Sequence, residues 1–350
     1  MKKILTILCT AAALMTACTN DDQYSWDDNF ADLTATDTLD VSILWNGQTV
    51  TISGDAAGYV TAEGADVTVR SATNRFLRLT LSGTSDDGSL TIWSWKKLGV
   101  VLNSLTLKNN DGPAINNQCG KAFHVVMAAG TTNTLADGAS YADRTYDQKG
   151  TLFSEGQIYF SGTGQLTVNG TAKNGIASDD YIVIEGGTIN INVTQAGGRG
   201  IKVNDGITIN GGQTTISTTG DCRIEQQDGV ADTTSAAGIK SDSTFVMNAG
   251  TLTIVSSGDG GKGINATDSV IVRGGTLNIT TTGSNDVGKP KGIKSDKAIV
   301  VSGGTTTVKV SKSWACDNGV ETEDPTKRLT VEGSPLVKKL EKRTVDIRYE

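Results

Sequence analysis

The sequence predicts an all-β chain wound as a single-stranded right-handed parallel β-helix, a solenoid with coils of about 25 residues. Three observations carry this expectation. Five Gly-Ile steps recur along the chain, a glycine pair follows each at eleven and twelve residues, and two runs of period-two alternation fill every repeat.

The steps are Gly175-Ile176, Gly200-Ile201, Gly238-Ile239, Gly263-Ile264 and Gly292-Ile293, at intervals of 25, 38, 25 and 29. The second marker is Gly186-Gly187, Gly211-Gly212, Ala249-Gly250, Gly274-Gly275 and Gly303-Gly304, with only Ala249 departing from glycine. Between the markers, Tyr181 to Ile184, Gly206 to Ile209, Thr244 to Met247, Ser269 to Val272 and Ala298 to Val301 read as strands. After the glycine pair, Ile189 and Ile191, Thr214 and Ile216, Leu252 and Ile254, Leu277 and Ile279, Thr306 and Val308 fall on one face. A coil of this kind cannot bury its apolar face alone, so neighbouring coils must stack. Glycine suits the corner because it accepts positive φ. Left-handed hexapeptide helices, propeller blades and leucine-rich repeats have other signatures, and the rule for parallel crossovers favours the right hand.

One earlier coil fits with one residue fewer: Leu152, Ile158, Phe160, Leu166 and Val168 take the inward places of Ile176, Ile182, Ile184, Ile189 and Ile191, so the stack includes Gly150. The interval of 38 holds an insertion at residues 221 to 237, and that of 29 a shorter one at 284 to 291; both are expected as loops on one edge. Towards the N-terminus, Val41 to Ile52, Val67 to Val69, Leu77 to Leu81 and Val100 to Leu107 alternate like strands and predict wider coils. Basic residues in the segment from Leu329 to Tyr349 would guard the terminal edge.

At the start, Lys2 and Lys3 precede an apolar run from Ile4 to Leu14, as in an export signal, and the run is too short to span a membrane as a helix. Leu14-Met15-Thr16-Ala17-Cys18 resembles a lipobox, which predicts a signal at residues 1 to 17, a lipidated tether at 18 to 40 and a β-helix domain at 41 to 350. Ordinary secretion is the alternative. Acidic residues behind Cys18 resemble a tag that carries lipoproteins to the outer surface of Gram-negative cells, or else form a plain solvated tether. Losing two lysines with the signal takes the formal charge from −7 to −9, which argues against unspecific nucleic-acid binding. Membrane attachment would be through lipid only. Cys119, Cys222 and Cys316 are an odd set, far apart in sequence, and read as mostly free thiols.

Candidate chemistry gathers behind each Gly-Ile step. Asp179-Asp180, Asn204-Asp205, Asp242-Ser243, Thr267-Asp268 and Asp296-Lys297 would be stacked at the strand spacing of about 4.8 Å. Carboxylates so repeated repel one another unless a cation intervenes, and calcium, which prefers several oxygens, is the natural neutraliser. Side-chain turns at the corner are the competing account. Asp221, Asp259 and Asp286 would complete the oxygen cage from loops. A basic row of Arg199, Lys202, Lys240, Lys262, Lys291 and Lys294 flanks the same steps, either pairing with the aspartates or holding an acidic polysaccharide. Trp93 and Trp95, two apart, would share a strand face and stack on sugar rings, unless buried between coils. His124, the only histidine, reads as a packed strand residue; its solitude removes multi-histidine zinc motifs and a Ser-His-Asp triad.

With the Gly-Ile-Lys-Ser-Asp and Gly-Gly-Thr-Leu segments in view, the chain resembles the bacterial carbohydrate-binding β-helix family related in shape to pectate lyases, over roughly residues 40 to 332. The stretches at residues 109 to 115, 130 to 138 and 162 to 168 join the match. The resemblance implies a calcium-containing, right-handed helix that binds plant-type or acidic polysaccharides without catalysis. Carried over by motif, it implies calcium ligands at Asp179, Asp180, Asp205, Asp242, Asp268 and Asp296, while the basic row and the tryptophan pair make Lys202, Lys240, Lys262, Lys294, Trp93 and Trp95 the candidate sugar contacts. Asn204 and Thr267 replace an aspartate in two coils, so separate ions are expected rather than a continuous line. The alternatives are a calcium-dependent lyase, with a lysine or arginine as base beside Asp-bound calcium, and an adhesin or structural surface solenoid.

Overall fold

The computed structural model describes residues 38 to 311 apart from 228, together with 314 to 316, 320 to 321, 329 to 334 and 348 to 349. The signal segment, Cys18 and nearly all of the expected tether lie outside the described residues. Every regular element among those described is a strand.

The strands stack as three parallel ladders, and the chain visits them in turn. The first ladder runs through Asp66–Ser71, Ser89–Ser94, Ile115–Asn117, Gly150–Ser154, Asn174–Ser178, Arg199–Val203, Ala237–Ser241, Lys262–Ala266 and Lys291–Ser295. The second contains Phe123–Met127, Ile158–Gly162, Tyr181–Ile184, Gly206–Ile209, Phe245–Met247, Val270–Val272 and Ile299–Val301. The third contains Thr132–Asp137, Gln165–Gly170, Thr188–Val193, Gln213–Thr218, Thr251–Ser256, Thr276–Thr281 and Thr305–Ser311. Within the ladders each strand therefore pairs in parallel with its equivalent one coil on, and Asp66–Ser71 also pairs antiparallel with its chain neighbour Val60–Glu63.

Period-two alternation turns one face of every strand inward. Ile176, Ile201, Ile239, Ile264 and Ile293 meet in register on the first ladder and are fully buried. Ile182 and Ile184, with Ile189 and Ile191, fill the other two sides of their coil. The apolar cluster runs without a break from Val41 to Val310. At about 1.5 to 3 kcal/mol per buried large aliphatic side chain, stacking supplies what a single coil lacks.

The glycine pair sits between the second and third ladders. Gly275 adopts φ +81°, and a Cβ placed there would lie 2.5 Å from the carbonyl oxygen of Gly250 in the preceding coil. Both the backbone conformation and the coil spacing thus require glycine. The glycine of the Gly-Ile step has a different reason. A Cβ on Gly238 would meet the Ile254 side chain at 2.3 Å, so the core has no room for one.

Towards the edges the expectations are refined or corrected. The N-terminal coils vary in width: Thr38 pairs with Phe76 and Ile115 with Leu152, steps of 38 and 37 residues, whereas Val67 pairs with Leu90 and Leu90 with Ile115, steps of 23 and 25. They escape a repeat search because Phe76–Ser85 and Leu98–Asn109 each run through two sides as one bent strand, without the glycine pair. Val41 to Ile52 ends the stack: Thr38–Asn46 lies parallel on Phe76–Ser85 and turns at Gly47 into an antiparallel hairpin with Thr49–Ser53. The 221 to 237 insertion is likewise a hairpin rather than a loop, Arg223–Gln227 with Val230–Thr234. It lies on the same edge as the shorter insertion, where the Cys222 thiol reaches the Val287 carbonyl at 3.4 Å.

Cys119 is buried, Cys222 and Cys316 are partly buried, and no disulfide joins the three. His124 is a strand residue, 5% exposed, stacked on Tyr159 with ring centroids 5.1 Å apart. Trp45 is buried and donates from Nε1 to the Ala65 carbonyl at 2.8 Å.

Candidate functional site

The outer face of the first ladder carries the chemistry. Its last outward position forms a column through Trp93, Gln118, Glu155, Asp179, Asn204, Asp242 and Thr267. From Gln118 onward each backbone N–H donates to the preceding coil at 2.8 to 3.3 Å. The next column holds Asp180, Asp205 and Asp268, joined by backbone bonds of 3.1 Å from Asp205 to Asp180 and from Asp268 to Ser243. Asp296 follows Ser295, which pairs with Ala266 and so continues the first column. The predicted acids are therefore stacked as two adjacent columns.

Most of their charge is met by lysines. Asp242 is bridged by Lys202 and by Lys240, the latter at 2.6 Å. Burial works to raise the Asp242 carboxyl, but the two ammonium groups outweigh it and hold it below the usual carboxylate range. Lys294 pairs with Asp296, and Lys297 with Asp268 at 2.9 Å. Asp180 accepts from the Tyr181 backbone N–H at 2.9 Å, while burial, together with the charge of Asp205, raises it. Asp205 is exposed.

Asp179 differs from the others in its company. Its carboxylate lies with those of Asp147 and Glu155, ligand atoms of all three falling within 4.8 Å of one another. Lys149 is paired to Asp179 and, at 2.5 Å, to Asp147. Glu155 is pushed up to about 7 by burial and by the neighbouring Asp179 and Asp147 charges, against the opposing pull of Lys149. Asp147 arrives on the segment between the third and first ladders, whose backbone is tied down by Asn116 and Gln118 donating to the Asp147 carbonyl at 3.1 and 2.9 Å. The acidic columns brought Asp179 to notice; Asp147 and Glu155 escaped. Glu155 was findable, since it occupies the Asp179 place one coil earlier, whereas Asp147 had no register to reveal it.

Beside this cluster lies a cleft of about 400 Å³ on the same face, lined by Lys149, Lys173, Asp179, Arg199, Lys202 and Arg223 among others. Asn174 staples its floor, donating to the Lys149 carbonyl at 2.7 Å and accepting from the Arg199 N–H at 3.1 Å, one coil to each side. Arg223 comes from the inserted hairpin, which makes one wall. Of the basic row, Arg199 and Lys202 line this cleft. Lys240 pairs with Lys202 in the adjacent strand. Lys262 is 8% exposed and donates to Ser235; burial, with Lys291 and Lys294 nearby, brings it down to about 8. Lys291 is also buried.

Two further expectations change. Trp93 and Trp95 do not share a strand face, because the strand ends at Ser94 and Trp95 falls in the turn beyond it. Trp93 has Arg70 over its ring at 4.1 Å and Tyr146 edge-on at 5.4 Å; Trp95 is 42% exposed and donates to the Thr73 carbonyl at 2.8 Å. Asp221 and Asp259 are corner devices: each accepts from the backbone of the next coil, Asp259 N–H at 2.8 Å and Ser284 N–H at 2.6 Å. Asp286 is held in a local turn by the Ser284 hydroxyl at 2.6 Å.

The family model for carbohydrate-binding domain-containing proteins matches residues 63–330. The chain belongs to that family. The match takes in the N-terminal coils, the cleft and both insertions. A curated relative, a carbohydrate-binding domain-containing protein of Acetivibrio thermocellus, is 29% identical over 117 residues, which is 32% of this chain and 41% of that protein. This chain thus matches only about two-fifths of the relative's length. Among solved structures, a polysaccharide lyase-like protein from C. thermocellum, crystallised as a gadolinium derivative, superimposes with a TM-score of 0.52 at 20% identity, over 83% of this chain and 96% of that one. At that identity the likeness concerns the fold.

Proposed function

We propose that this family member is a non-catalytic polysaccharide-binding module on a right-handed parallel β-helix, its ligand lying along the outer face of the first ladder with calcium assisting. The observation that carries the reading is the cleft at Arg199 and Lys202, a concave and strongly basic site on an otherwise acidic protein. It opens onto columns of polar side chains repeated at about the strand spacing of 4.8 Å, a periodic surface suited to a periodic polymer. Plant-type and acidic glycans are the expected ligands.

Asp147, Glu155 and Asp179 would hold calcium. Glu155 is raised first by burial and then by the Asp179 and Asp147 charges; a hard divalent cation would relieve that like-charge crowding, and the Lys149 ammonium already bridges two of the three carboxylates. When bound, the ion would supply charge to hold acidic sugar groups. Lipid on Cys18 would place the module at the outer membrane surface.

The test is a glycan array probed with calcium and again with chelator. Binding to acidic or plant-type polymers, weakened by chelator, is expected. An array without hits, alongside a captured protein partner, would replace this reading with an adhesin. A calcium-dependent lyase is favoured by one observation, the convergence of Lys149 and Arg199 with the Asp179 carboxylate in a single cleft. Unsaturated ends released from polygalacturonate, and abolished by chelator, would establish it.

A further inference from the structure

We infer that the cleft contains an anion subsite in which Arg199, flanked by Lys173, Lys202 and Arg223, takes a carboxylate or sulfate group carried on a sugar. The inference rests on the polysaccharide-binding reading and narrows its ligand class. Five of the residues lining the cleft are cations, Lys149, Lys173, Arg199, Lys202 and Arg223, against one carboxylate, Asp179, in a chain of formal charge −7.

The cations are not equally engaged. Lys149 is bound to Asp147 and Asp179, Lys202 to Asp242, and Arg223 to Glu225 on its own hairpin. Lys173 donates to the Gln148 carbonyl at 2.6 Å and lies 5.2 Å from the Tyr141 ring centroid. Arg199 makes no ion pair among the described residues, and its Nε is buried without a hydrogen-bond partner. Asp242 and Glu225 act on it only through their field, while burial and the Arg223 guanidinium push it below its ordinary value. A guanidinium that lines the cleft without an ionic partner is a charge that a ligand oxyanion would match.

The chemistry of the fork selects the partner. Guanidinium groups present parallel donors that match carboxylate and other planar or tetrahedral oxyanions, which hydroxyl groups of a neutral sugar cannot satisfy equally. Asn174 fixes the Arg199 backbone, which sets where the side chain enters the cleft. Arg223 approaches from the hairpin across the cleft, Lys202 continues the positive file on the Arg199 strand, and Lys240 extends it into the next coil. A polymer bearing repeated anionic groups fits this file better than a single small anion.

The experiment measures binding of the purified chain by affinity electrophoresis and titration calorimetry. Polygalacturonate is set against its fully methyl-esterified form, and dextran sulfate against plain dextran. A charged polymer is expected to bind more tightly than its uncharged counterpart, with affinity falling as salt rises. Response to polygalacturonate alone would assign a carboxylate, and to dextran sulfate alone a sulfate. Arg199→Ala should lower affinity for the charged polymer about tenfold or more, the effect of losing hydrogen bonds to a charged group. Arg223→Ala, on the exposed hairpin where folding is not at stake, should lower it less and in the same direction. Circular dichroism checks that both variants fold. Unchanged affinity in both folded variants, or equal binding of charged and uncharged polymers, overturns the subsite while leaving polysaccharide binding in place. Failure of every polymer to bind sinks both.

Discussion

The glycine corner and the acidic corner are built from the same coils, yet they obey different rules. At the glycine corner the residue type hardly varies, because each coil's backbone rests on the backbone below. Cβ atoms on Gly212, Gly250, Gly275 and Gly304 would all come within 2.3 to 2.7 Å of the preceding coil. At the acidic corner one column reads Trp93, Gln118, Glu155, Asp179, Asn204, Asp242 and Thr267. Backbone hydrogen bonds recur from coil to coil there, side-chain bonds such as Lys240 to Thr267 at 2.8 Å differ from one coil to the next, and the side chains point away from the core. Close backbone packing demands uniformity, whereas an outward column is free to differ, so a site can be confined to the coils around Asp179 instead of being repeated along the stack.

That contrast can be broken in four ways. Gly275→Val combines a left-handed backbone conformation with a clash against the Gly250 carbonyl, and should cost about 3 kcal/mol or more in chemical denaturation. A loss below 1 kcal/mol, on the order expected of a surface change, would mean that the corner tolerates side chains after all. Thr214 occupies an inward place paired with Ile189 and Leu252, and its buried hydroxyl has no hydrogen-bond partner. Thr214→Val should therefore stabilise by about 1 kcal/mol, read as a raised Tm.

Glu155 offers a pH signature for the acidic corner. Its folded carboxyl is raised from 4.5 to about 7, so the folded chain holds the proton more tightly than the unfolded one. Its contribution is fully present below about pH 4.5 and is lost as pH climbs towards 7. The group is only partly buried, so solvent screening limits the loss to about 1 kcal/mol. Glu155→Gln should flatten this fall, seen by denaturation at pH 4.5 and 7; an unchanged slope would show that the carboxylates are not crowded. Asp296→Asn removes an exposed pair with Lys294 and should cost no more than about 0.5 kcal/mol. A larger loss would give the outward column a structural weight that its variability argues against.

Much of the stack was legible because its spacing is chemical. The Gly-Ile steps and glycine pairs mark positions where a side chain cannot fit, so they recur whatever else changes, and the coils from Gly150 onward fall in the expected register. The coils before Ile115 were harder to read, since their bent strands cross a corner without glycine. The site was legible in part. Arg199, Lys202 and Asp179 sit on the repeat and were found with it. Asp147, Lys149 and Lys173 lie before strand starts or on the long connection, and Arg223 on an insertion, where periodicity carries no information.

The sequence by itself determined the coil length, the inward faces and the two corners, because these follow from side-chain alternation and from where a Cβ is forbidden. Tertiary structure alone decided which charges meet. Asp242 lies 40 residues from Lys202 and Asp179 lies 30 from Lys149, yet stacking sets them side by side, and it leaves Arg199 in the cleft without an ionic partner among the described residues. The physical reason is that pairing between coils is set by register across the ladder, and an insertion such as residues 221 to 237 changes distance along the chain without changing that register.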